Sequence, residues 1–173
     1  MRLVLGLGGN LGDVVSAFAR ARAVLEGCGH VLSASRLFRT APVGPAGQPD
    51  FLNAALTLEL RCGLRELLRR CQTIERDAGR ERSTEPHWGA RVLDLDLLLA
   101  SDTVVRWPQL ELPHPRLHER SFALVPAAEL AGDWVHPLLG RTVAELAAEA
   151  ARRSPDAILG VVDTPQWPHR AGS

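Results

Sequence analysis

Apolar and polar positions along the chain change period several times, and each change marks an element. Residues 2–8 form a compact apolar run closed by glycine, the pattern of a buried strand. Asp13 can cap a helix in which Val14, Phe18, Ala21 and Leu25 recur at helical spacing as far as Gly27 and Gly29. Residues 31–39 read as extended. From Phe51 to Leu60 the alternation is strict: Leu52, Ala54, Leu56, Leu58 and Leu60 share one face, and Phe51, Asn53, Ala55, Thr57 and Glu59 the other. Leu64, Leu67, Leu68, Cys71 and Ile74 form the buried stripe of a second helix. A strand follows at residues 92–99, a short partner strand at 104–107, and a capping box, Thr142-Val143-Ala144-Glu145, announces a later helix.

The order of the first six elements, β-α-β-β-α-β, predicts an α+β fold with a ferredoxin-like core. Its sheet is expected to be mainly antiparallel, with helices packed on one face and further helices C-terminal to it. A length of 173 residues suits one domain, expected over 1–163, and Pro165 and Pro168 suggest a loose tail over 164–173. Two connections, 40–50 and 79–91, are too long for simple turns. Long ordered loops of this kind usually carry function.

The strand at 92–99 holds the sharpest chemistry, because Asp94 and Asp96 stand two residues apart between leucines. Strand alternation puts both carboxylates on one face, about 7 Å apart along the backbone. Two buried carboxylates need neutralising, and hard oxygen donors suit Mg²⁺; an edge strand with its Asp face in water is the plainer alternative. The preceding loop supplies Arg80, Arg82 and Arg91, whose planar forks fit phosphate oxygens, and Trp88, a flat apolar cover. Cations, carboxylates and a shielding loop together are what phosphoryl transfer requires. Phe51 and Asn53 can stack on a planar heterocycle and read its edge, or serve as a core ring and a strand-end amide. His114, between two prolines, can donate to a phosphate. Gln72 and Glu75 lie one helical turn apart and face either the site or water.

Composition narrows the classes. Twenty acidic and twenty basic residues cancel, which disfavours a general nucleic-acid binder. Every basic residue is arginine, so no lysine can clamp a phosphate or form a Schiff base. The glycine-rich start, Gly6-Leu7-Gly8-Gly9-Asn10-Leu11-Gly12, has Leu11 where a dinucleotide fingerprint needs its third glycine, and it lacks the Gly-Lys pair of a P-loop. Cys28, Cys62 and Cys71 lack zinc-ligand spacing and read as buried free thiols of a reducing compartment. With no signal-peptide core and no membrane-length apolar run, a cytoplasmic protein without nucleic-acid or membrane partners is expected. A non-enzymatic ferredoxin-like binding module and a D-x-D glycosyltransferase are the competing classes. The first is disfavoured by the lack of an aromatic RNA-binding signature and the second by the short chain.

Several segments together resemble the 6-hydroxymethyl-7,8-dihydropterin pyrophosphokinase family of folate biosynthesis. They are Gly8-Gly9-Asn10-Leu11-Gly12-Asp13, Phe38-Arg39-Thr40-Ala41-Pro42, Gln48-Pro49-Asp50-Phe51-Leu52-Asn53-Ala54, Ile74-Glu75 and Gly79-Arg80. Trp88-Gly89-Ala90-Arg91-Val92-Leu93-Asp94-Leu95-Asp96, Leu112-Pro113-His114-Pro115 and Arg120-Ser121-Phe122 complete the set, in order, over about residues 1–130. A monomer is expected. The resemblance implies transfer of the β,γ-diphosphate of ATP to the pterin hydroxymethyl oxygen with release of AMP. It implies that Asp94 and Asp96 hold two Mg²⁺ ions, and that Arg80 and Arg91 stabilise the transferred group. Arg82 and Trp88 would sit on a loop closing over ATP. The pterin would lie between Phe51 and Phe122, with its edge read by Asn53 and the backbone of Thr40, Ala41 and Val43. Gln72, Glu75, Leu97, His114 and Arg120 would surround the nucleotide. The sequence departs from the family pattern at Gly9, usually serine, at Phe51, often tyrosine, and at His87 and Ala90, usually arginine and proline.

Overall fold

The computed structural model describes residues 1–45, 47–79 and 89–167. Arg80, Arg82, His87 and Trp88 therefore fall outside the described residues. The chain runs β1 (Arg2–Gly9), α1 (Val14–Leu25), β2 (Gly29–Ala34), β3 (Leu37–Thr40), β4 (Phe51–Leu60), α2 (Leu64–Asp77) and β5 (Asp94–Ala100). It continues through β6 (Val105–Trp107), β7 (Leu110–Leu112), α3 (Ser121–Ala131), β8 (Val135–His136), β9 (Arg141–Thr142), α4 (Val143–Arg153) and β10 (Ile158–Val162). The main sheet has the order β10-β3-β4-β1-β5, with β2 also pairing β4, and every pairing in it is antiparallel. This is the split β-α-β arrangement expected from the order of elements, and the α+β class is borne out.

The sheet has a core on each face. Leu3, Leu5 and Leu7 of β1, Leu56 and Leu58 of β4, and Leu95 and Leu97 of β5 pack with Phe18 and Leu25 of α1 and Leu67 and Ile74 of α2. Val4, Ala55, Leu98 and Leu99 face the other way, against Leu124 and Ala127 of α3 and Leu146 and Ala150 of α4. The C-terminal helices thus cover the second face. Leu98 and Leu99 can share it because β5 carries an extra residue where its register with β1 shifts, between Val4 and Leu5. That bulge re-phases the alternation halfway along the strand.

Three local expectations change, and one helix appears that the sequence did not announce. The extended run at 31–39 is two strands, because Ser35 turns its Oγ to accept from the Ala55 amide at 2.8 Å and breaks the edge between β2 and β3. The short strand near 104–107 pairs with β7 in a separate hairpin, not with the Asp strand. Helix α3 shows no sequence stripe: it is apolar on most sides, carries Pro126, and lies between the sheet and α4. Within the described part of the expected tail, Trp167 is 2% exposed; its indole meets Phe18 edge-on at 5.9 Å and donates to the Ser35 carbonyl at 2.8 Å. An indole buries enough apolar surface to order the residues before it. Among the described residues no helix is long and apolar enough to cross a membrane.

Candidate active site

Sheet register assembles the site. Directly opposed residues of antiparallel strands share a face. Phe38, Asn53, Gly8 and Asp94 are opposed in one row across four strands, and Ala55, Gly6 and Asp96 in the next. Both carboxylates therefore lie on the α3/α4 face, where their side chains are 23% and 36% exposed. The side chains between Asn53 and Asp94 are reduced to the hydrogen of Gly8, where a Cβ would stand 3.0 Å from Asn53 Oδ1. Gly9 is tighter still: a Cβ there would be 2.3 Å from the Val92 carbonyl oxygen. The serine usual in the family would require the lead-in to β5 to move away.

Each carboxylate is met by a guanidinium. Arg91 Nη1 donates to Asp94 Oδ2 at 2.9 Å, and Arg120 Nη1 donates to Asp96 Oδ2 at 2.9 Å. Arg91 and Arg120 side chains are only 15% and 16% exposed, so these contacts are weakly screened by solvent. Both guanidinium groups also lie over rings, Arg91 5.8 Å from Phe51 and Arg120 5.8 Å from Phe122. The two aromatic residues expected to flank a heterocycle are thus each tied to one of the arginines expected to meet phosphate.

His114 sits on the backbone of β5, its amide donating to the Leu98 carbonyl at 2.8 Å. Its Nδ1 accepts from the Arg116 amide at 3.2 Å, which leaves the ring proton on Nε2. Burial, reinforced by the Arg120 charge, pushes its pKa down to about 4, so the ring is neutral near pH 7. A neutral imidazole with a fixed Nε2 proton can donate to a phosphate oxygen without adding charge.

The pterin candidates divide. Thr40 and Asn53 are buried together, Asn53 Nδ2 donating to Thr40 Oγ1 at 2.7 Å, which orients the carboxamide. The Ala41 amide is engaged with the Ala157 carbonyl at 2.9 Å, and the Val43 side chain is half exposed at 50%. Among the nucleotide candidates, Glu75 is fully buried and its Oε1 accepts from the Leu95 amide, between the two aspartates, at 2.8 Å. Gln72 is half-buried one turn earlier. The Leu97 side chain lies in the α1/α2 core opposite Leu5, on the far face from Asp94 and Asp96.

Asn10 joins the site without having been singled out from sequence. Its Oδ1 accepts from the Arg91 amide at 2.8 Å, its own amide donates to the Arg91 carbonyl at 2.8 Å, and its Nδ2 donates to the Pro49 carbonyl at 3.0 Å. One buried amide thereby ties the end of β1 to the 40–50 loop and to the segment that carries Arg91. Its signal in the chain is its place in Gly8-Gly9-Asn10-Leu11-Gly12-Asp13, one of the segments that carry the resemblance.

Residues 4–132 match the family described as 7,8-dihydro-6-hydroxymethylpterin-pyrophosphokinase (HPPK). The chain belongs to the HPPK family. It is 40% identical over 145 residues to a 2-amino-4-hydroxy-6-hydroxymethyldihydropteridine pyrophosphokinase of Synechocystis, covering 83% of this chain and 73% of that one. To the pyrophosphokinase of the same name in Methylorubrum extorquens it is 40% identical over 151 residues, covering 86% and 92%. In fold it is similar to the crystal structure of Plasmodium falciparum HPPK-DHPS, with a TM-score of 0.64 at 12% identity over 88% of this chain. The chain spans 43% of the length of that solved chain, less than half of it. The HPPK match ends at residue 132, so β8, β9, α4, β10 and Trp167 all lie beyond it.

Proposed function

We propose that the chain is an ATP-dependent diphosphotransferase that makes the diphosphate ester of 6-hydroxymethyl-7,8-dihydropterin. The hydroxymethyl oxygen attacks the β-phosphorus of ATP, the bond from that phosphorus to the α-bridging oxygen breaks, and AMP leaves with the bridging oxygen as the hydroxyl proton is lost. What carries this reading is Asp94 and Asp96, each paired with an arginine, on one sheet face beside the Thr40–Asn53 amide.

The donor set suits magnesium. Two carboxylates on one face are hard oxygen ligands, and Mg²⁺ keeps several waters and phosphate oxygens in its shell. Among the described residues no cluster of three or more His, Cys, Asp or Glu forms, so phosphate and water would complete the coordination. Asp94 and Asp96 would hold two ions, which would neutralise phosphate charge and polarise the β-phosphorus. Arg91 and Arg120 exchange carboxylate for phosphate oxygens once ATP is in place, their forks serving either partner. His114 Nε2 donates to a phosphate oxygen. Asn53, with its NH₂ on Thr40, offers Oδ1 to a ring N–H of the pterin, and Phe51 and Phe122 supply flat apolar cover. Arg80, Arg82 and Trp88 keep the phosphate and lid roles that the family resemblance assigns them.

The test follows AMP with ATP, Mg²⁺ and 6-hydroxymethyl-7,8-dihydropterin. AMP should form only with all three, and Asp96→Ala should lower the rate by at least about a thousandfold while circular dichroism stays that of the wild type. AMP formation without pterin would reassign the chain as a nucleotide hydrolase. Undiminished turnover in Asp96→Ala would remove the metal role from the pair.

A further inference from the structure

The HPPK match stops before the last forty residues, yet those residues return to the pterin side of the site. After α4, strand β10 lies outside β3, pairing Ile158 with Thr40, Val161 with Phe38 and Val162 with Leu37. At one end of β3 the Ala157 carbonyl accepts from the Ala41 amide at 2.9 Å. At the other, Trp167 donates its indole N–H to the Ser35 carbonyl at 2.8 Å and is seated between Phe18 and the guanidinium of Arg22, 5.8 Å from its ring. Ser35 is itself fixed to β4, exchanging hydrogen bonds with Ala55 through its amide and its Oγ. Strand β3 has four residues and meets β4 at only three register positions. So short a strand holds its place chiefly through what is fastened to either side of it.

The consequence reaches the site through one side chain. Thr40 Oγ1, in β3, is the acceptor that turns the Asn53 carboxamide, and Asn53 Oδ1 then lies over Gly8 in the row that ends at Asp94. We infer that residues 155–167 are a positioning element of the pterin side, clamping β3 at both ends so that Thr40 holds Asn53 in its reading orientation. The inference rests on the proposed pterin site. The clamp's hydrogen bonds run to Ala41, Ser35 and β3, the strand that carries Thr40, so its effect should fall on the pterin and not on the nucleotide.

The experiment uses the full chain and two calorimetric titrations, one with 6-hydroxymethyl-7,8-dihydropterin in the presence of a non-hydrolysable ATP analogue with Mg²⁺, the other with that analogue alone. Trp167→Ala should weaken the pterin on the order of tenfold, the scale of one lost orienting hydrogen bond, and leave the analogue within about twofold. Trp167→Phe keeps a ring against Phe18 but lacks the donor to Ser35; it should weaken the pterin by a smaller factor, with a smaller fall in melting temperature than Trp167→Ala gives. In turnover the same variants should raise the pterin KM while kcat and the ATP KM hold. If Trp167→Ala fails to fold, Trp167→Phe decides. Pterin affinity equal to wild type in the folded variants, or equal losses for both ligands, overturns the inference. Absence of pterin binding by the wild type would instead overturn the functional reading on which it stands.

Discussion

At the scale of single residues, the site sets two carboxylates, Asp94 and Asp96, against two guanidinium groups and keeps its histidine, His114, neutral because burial disfavours the charged form. The histidine makes stability depend on pH. In the unfolded chain the imidazole takes up a proton below about 6.5, whereas in the folded protein it stays neutral down to about 4. Protonation therefore favours the unfolded chain, and the stability present above about pH 6.5 is lost as pH falls towards 4. The loss attributable to His114 should be about 2 kcal/mol once its partial solvent contact is allowed for. His136 is lowered by burial as well and contributes in the same direction. Urea denaturation at pH 7.5, 6, 5 and 4 should show a shallower acid loss in His114→Gln than in the wild type. Parallel curves would mean that the ring is not held neutral.

At the scale of elements, helix α2 does more than cover the sheet. Glu75 reaches from its buried face to the outward amide of Leu95, on the outermost of the described strands next to β1. An amide at that position would otherwise need water, and an unmet buried donor costs about 1–3 kcal/mol. Glu75→Leu should lower the unfolding free energy by about that amount and reduce the rate of AMP formation, because the Leu95 amide lies between the two aspartates. Glu75→Gln, which keeps an oxygen acceptor, should retain most of both. Wild-type stability in Glu75→Leu would show that the strand does not depend on this contact. The elements readable in the chain are those with a clean period: α1 and α2 each bury one stripe, and β4 alternates strictly although both its faces are buried. Helix α3 was not readable, because it is covered on two sides and shows no polar stripe. The β5 bulge was not readable either, since one extra residue in a run of leucines leaves no mark on composition. It does not disturb Asp94 and Asp96, which precede it, and so plain alternation placed both carboxylates on one face. The role of Asn10 depends on three segments distant in sequence, and no local pattern encodes that.

At the scale of the whole molecule, one sheet carries a core on each face, and the candidate site lies on the α3/α4 face, where Asp94 and Asp96 keep partial exposure. Ligands bound there contact the folded protein only, so they should stabilise it by mass action. Mg²⁺·ATP at a hundred times its dissociation constant should add about 2.7 kcal/mol, and the melting temperature should rise by roughly 5–10 °C. In Asp94→Ala/Asp96→Ala the nucleotide-induced rise should vanish while any rise given by pterin alone persists. A nucleotide-induced shift that survives in the double variant would place ATP elsewhere.

The bare backbone at Gly8 has a consequence for inhibition. A compound resting on that part of the floor, between Asn53 and Asp94, meets main-chain atoms that no codon change can rewrite. A mutation could crowd it out only by adding a Cβ, and that atom would press to 3.0 Å against Asn53 Oδ1. Resistance arising there would displace the amide proposed to read the pterin, so escape from the drug would carry a cost to the proposed substrate as well.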